Sequence, residues 1–106
     1  MGKAEIGIVK QLKSFKVILS KKMKVEKMIL YGSRARGDAL KHSDVDVLLV
    51  SKYFQDVPFL ERMYLSSKGW KYKPPLEMFC YTPQEFALKK KENSYMKMIL
   101  KEGVTI

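Results

Sequence analysis

The chain has 106 residues, 46% of them hydrophobic and 30% charged, and its 21 Lys and Arg against 11 Asp and Glu give a net charge of +10. That is enough apolar side chain for one buried core, which excludes a disordered tail, and no apolar run approaches the ~20 residues of a membrane-spanning helix. A single cysteine, Cys80, excludes an internal disulfide and a four-cysteine zinc site. The segment that opens at Met1 is charged and amphipathic rather than an apolar export signal, so the expectation is a cytoplasmic chain with no membrane association.

The charge is uneven. Residues 1–30 hold eight Lys and two Glu, whereas residues 31–50 hold three bases and three acids. The surplus suits either a solvated, lysine-rich helix face or a salt-sensitive field for polyanions such as nucleotides and RNA. A nucleic-acid-binding module over residues 3–27 is one reading.

In chain order, Ile8, Leu12, Phe15 and Leu19 recur at spacings of four, three and four and predict a helix over 4–22, with Lys10, Lys13 and Lys21 on its other side. Residues 25–31 read as a strand that ends at Gly32, followed by a short turn over 32–37 and a polar connection over 38–43. Residues 44–50 are the clearest strand, because Val45, Val47, Leu48, Leu49 and Val50 are too apolar for a sheet wetted on one side. Asp56 offers an N-cap for a helix carrying Phe59, Leu60, Met63, Tyr64 and Leu65 to about Lys68. A third strand covers 76–81. Thr82, Pro83 and Glu85 form a capping-box pattern that starts a helix to about Lys91, and a second helical piece covers 94–101. Alternating helices and strands without a linker or repeat predict one α/β (α+β) domain over 1–106, a small mixed sheet flanked by helices.

Chemistry concentrates in residues 32–46. Asp44 and Asp46, two apart at a strand start, share a face, and like charges beside an apolar run are unfavourable without a cation between them. A divalent metal such as Mg²⁺ supplies that cation; a solvated strand edge is the alternative. Gly32 and Ser33, leaving a strand into a helical turn, present backbone N–H groups and a hydroxyl suited to phosphate oxygens, though the dipeptide also makes an ordinary turn. Arg36 suits either phosphate neutralisation or bracing of the loop through Asp38 or an aspartate of the site. Arg34, Lys41 and the lone His42 read as solvent-facing. Ser43 either orients Asp44 or caps the local turn. Glu85 is explained by its capping box, and Met63, Met78, Met96 and Met98 need no chemical role.

The stretch from Gly32 to Val50 resembles the signature of the DNA polymerase beta–like nucleotidyltransferase superfamily: Gly32-Ser33, a short spacer, then Asp44-Val45-Asp46 on an apolar strand. Its fuller form is similar to the minimal nucleotidyltransferases of prokaryotes. The resemblance implies a nucleotidyltransferase fold, a nucleoside triphosphate (ATP above others) held by Gly32, Ser33 and Arg36, and two Mg²⁺ ions bound by Asp44 and Asp46. It also implies a third carboxylate on a neighbouring strand, where Glu77 is the only acid. The expected reaction moves a nucleoside monophosphate, AMP above others, to a hydroxyl of a protein or RNA with release of pyrophosphate. So small a chain implies a second subunit, another copy or a helical HEPN-type protein. The alternative function is an antitoxin subunit that neutralises such a partner by binding, with little turnover.

Overall fold

The computed structural model describes residues 4–106. The spaced apolar residues of the N-terminal segment form α1 (Ile6–Ser20), and Ile8, Leu12, Phe15 and Leu19 are its buried side, as their spacing predicts. The apolar runs that follow form β1 (Lys27–Tyr31) and β2 (Val45–Val50), joined through the one-turn helix α2 (Ser33–Arg36). A 3₁₀ turn over Lys52–Phe54 leads to α3 (Phe59–Ser67), β3 (Leu76–Tyr81), α4 (Pro83–Glu92), α5 (Ser94–Glu102) and the two-residue strand β4 (Val104–Thr105).

The sheet order is β3-β2-β1-β4. β1 is antiparallel to β2 and β4, and β2 runs parallel to β3 with α3 as the crossover, so the sheet is mixed and carries helices on both faces. Side chains alternate across the sheet. Met28, Leu30, Val45, Val47, Leu49, Met78 and Cys80 pack with α1 on one face. Ile29, Tyr31, Leu48 and Val50 pack with Phe86 of α4 and Met96 and Ile99 of α5 on the other. β2 is therefore covered on both sides, which is why its sequence is apolar at consecutive positions.

In the crossover the helix forms as expected, but with a different buried side and a different cap from those its sequence suggests. The helix expected over Phe59, Leu60, Met63, Tyr64 and Leu65 leaves the first four of these exposed and buries Arg62 and Ser66. The reason is Arg62: it donates to the carbonyls of Val57 (2.9 Å) and Cys80 (3.1 Å) and forks onto Glu85, so a polar side chain closes the outer edge of β3. Asp56 is not the cap of α3; Pro58 takes that place, and Asp56 sits two residues earlier with φ of 65° in the left-handed region. The capping box of Thr82 and Glu85 is formed as predicted, but it does not exhaust Glu85, which also carries Arg62.

Candidate active site

β1 ends at Tyr31, and the chain turns at Gly32 with φ of 75° and ψ of −157°, a region open in practice to glycine alone. The carbonyl of Gly32 accepts from Ala35 N and Arg36 N, and that of Ser33 accepts from Gly37 N and Asp38 N. The amides of Ser33 and Arg34 open this turn, where the helix itself supplies no acceptor. Gly37, in the left-handed conformation, releases the chain.

Gly32 meets a carboxylate. A Cβ built at Gly32 would collide with Oδ2 of Asp46, so the bare backbone is what lets the aspartate close on the turn. Asp46 lies opposite Tyr31 on one side and opposite Glu77 on the other, in register across β1, β2 and β3. Asp44 stands two residues earlier, just outside β2. Burial raises the Asp46 carboxyl above its ordinary value, the charges of Glu77 and then Asp44 push it up further, and Arg36 pulls the other way. Three of the expected site residues, Glu77, Asp44 and Arg36, thus act electrostatically on the fourth. Tyr31 is held neutral by burial, with Tyr95, Asp46 and Glu77 adding to the effect.

These oxygen donors suit a hard divalent cation, and their mutual repulsion is what such a cation offsets. The fit is one of donor chemistry and strand register. Among the described residues no three His, Cys, Asp or Glu side chains are grouped so as to hold a metal ion between them. Carboxylates of one sign gain nothing by closing further on each other.

Arg36 is exposed and pairs with Asp38 (3.1 Å) and Glu102 (3.2 Å), the bracing arrangement left open by the sequence. It lines a cleft of about 530 Å³ with Lys101 and Glu102, apart from Asp46 and Glu77; Glu77 instead borders a smaller hollow of about 150 Å³ under Phe59, Leu60 and Met63. Ser43 caps its turn, exchanging bonds with Leu40. Lys41 and His42 are exposed as expected.

Arg34 is the correction. Expected in solvent, it is 6% exposed and donates to the carbonyls of Ser43 and Lys41 and to Glu5. Tyr31 and Arg34 adjoin Gly32-Ser33 in the chain, but the partners that bury Arg34 are brought to it only by folding.

The sequence pattern of the nucleotidyltransferase domain matches residues 12–103. The chain belongs to this family. A solved structure from Sulfolobus solfataricus, whose own nucleotidyltransferase assignment is an inference, is 25% identical, with a TM-score of 0.56 over 99% of this chain and 89% of that chain. No curated protein matches the chain. The small mixed sheet flanked by helices is thus the fold expected of a nucleotidyltransferase. The narrower likeness to the minimal, antitoxin-type members is a separate matter. No helix among the described residues is long and apolar enough to cross a membrane.

Proposed function

We propose that this nucleotidyltransferase domain binds a nucleoside triphosphate, ATP in our reading, with magnesium, and transfers its nucleoside monophosphate to a hydroxyl of a protein or RNA. The observation that carries the reading is the placement of the Asp46 carboxylate between the bare backbone of Gly32 and the facing Glu77. Asp44, Asp46 and Glu77 would hold the two metal ions. The amides and hydroxyl at Gly32-Ser33 would hold the triphosphate, and Arg36, on leaving Asp38 or Glu102, would neutralise phosphate charge.

Bound magnesium would lower the pKa of the acceptor hydroxyl and offset the charge on departing pyrophosphate. The acceptor hydroxyl would give its proton to a carboxylate of the site, Glu77 in our reading unless it serves as a metal ligand alone. Its oxygen would bond to the α-phosphorus as the bond to pyrophosphate breaks. The chain's part is to fix these groups in line and to neutralise charge, with no covalent intermediate on the protein. The single buried thiol suits the reducing, cytoplasmic setting that this reading assumes.

The test is label from α-phosphate-labelled ATP, incubated with the chain, magnesium and cell extract. Label should appear on an acceptor and vanish with Asp46→Asn; label that survives the substitution contradicts the reading.

One observation favours a protein partner beside the site. Phe59, Leu60, Met63 and Tyr64 leave an apolar helix face in solvent next to Glu77. A helical HEPN-type protein or a second copy seated there would serve as acceptor, or be neutralised by binding alone. Neutralisation that persists in an Asp44→Ala/Asp46→Ala double variant marks the second case; loss of neutralisation marks the first.

A further inference from the structure

Arg34 has the surroundings of a side chain that sets geometry. Its guanidinium is nearly out of solvent, and burying a charge in this way is costly unless its donors are satisfied. They are satisfied by three residues of two segments, Lys41 and Ser43 in the connection before β2 and Glu5 ahead of α1. Nη2 donates to the Ser43 carbonyl at 2.8 Å, and Nε donates to the same oxygen at 3.2 Å. Nη2 also reaches the Lys41 carbonyl at 3.3 Å. Nη1 pairs with Glu5 at 2.8 Å, and the Glu5 amide donates back to the carbonyl of Arg34 at 3.1 Å, so the bond between these two residues is reciprocal.

Arg34 and one of those segments adjoin the site. Arg34 itself is the second residue of the turn that follows Gly32, and Ser43 immediately precedes Asp44. The connection over 37–44 has no strand or helix to hold it; it holds itself by the Leu40–Ser43 turn and is fastened to α2 by Arg34. We infer that Arg34 is a positioning residue: it fixes Asp44 at one distance from the Gly32-Ser33 turn, so that the carboxylates and the phosphate-holding amides keep a single spacing. The planar fork is needed for this, because one carbonyl receives two of its donors and a second receives another. A lysine ammonium is a point charge that cannot reproduce the fork. Groups behind metal-binding residues commonly set metal affinity by 10- to 100-fold, roughly, by orienting them.

This inference rests on the transfer reading for the identity of the site, and its test separates the two. Arg62 is the natural control, being equally buried at 6% and equally bound to backbone carbonyls, but on the α3–β3 side of the fold. Arg34→Lys and Arg62→Lys should lower thermal stability alike. The first readout is the magnesium concentration that half-saturates binding of a fluorescent ATP analogue. Arg34→Lys should raise it about tenfold or more, and Arg62→Lys should leave it within about twofold. The second readout is amide hydrogen exchange, which should accelerate over residues 40–44 in Arg34→Lys alone. An unchanged magnesium requirement in Arg34→Lys, or an equal shift in both variants, overturns the inference. A wild-type chain that binds no magnesium–nucleotide at all removes the transfer reading instead. Exchange over 40–44 then decides alone, and unchanged rates in Arg34→Lys overturn the clamp itself.

Discussion

Asp46 stands so close to Gly32 that no side chain fits between them. The glycine therefore does two things: it takes a backbone conformation other residues avoid, and it leaves room for the Asp46 carboxylate. Gly32→Ala should cost about 1–3 kcal/mol of stability from the backbone alone, with Asp46 pushed aside as well. Chemical denaturation should show that loss, and nucleotide transfer should fall with it. A variant as stable and active as wild type contradicts the close approach.

The charge on Asp46 destabilises the fold. Its carboxyl is raised by burial, Glu77 and Asp44, so the native state holds the proton more tightly than the unfolded chain does. The penalty is full above the folded value and disappears as the pH falls through the ordinary 3.8. Without added metal, Asp46→Asn should melt higher than wild type at pH 7, and the two should converge on acidification. Parallel melting curves across that range would show that Asp46 feels no such repulsion.

Glu85 has the opposite sign. Its bond with Arg62 holds the carboxyl below the ordinary 4.5, so its contribution is present above that value and is lost as the pH falls through the lowered one. Glu85→Gln should lower the melting temperature at pH 7 and make little difference in strong acid. A melting difference that grows on acidification would contradict the pairing.

How far the fold was legible depended on whether local chemistry fixed the outcome. The α1 stripe, the doubly covered run Val45–Val50 and the capping box at Thr82 each have one physical solution, and each is found in the structure. α3 did not: its apolar residues admit a buried helix, and only the tertiary bonds of Arg62 turn that side outward. Arg34 failed for the same reason, since its partners Glu5 and Ser43 are brought to it by folding. β4 is two residues long, too short for any periodicity. In the site, Gly32, Ser33, Asp44 and Asp46 were visible as a spaced motif, while the pairing of Asp46 with Glu77 needed the register of β2 and β3.

The outward face of α3 is directly testable. Leu60 is 88% exposed, so Leu60→Ser in the isolated chain should change stability by no more than about 0.5 kcal/mol. Leu48→Ala, between β2 and the α4–α5 layer, should cost about 2–5 kcal/mol. Comparable losses in the two variants would mean that α3 packs the other way round.

The central claim is that Gly32-Ser33 and the acids facing them form one site for metal and nucleotide. Calorimetric titration of ATP into the chain, with and without magnesium, tests it most directly. The account predicts magnesium-dependent heat that is abolished in Asp46→Asn, although that variant is the more stable fold at neutral pH. Binding that ignores magnesium, or persists unchanged in Asp46→Asn, would contradict it.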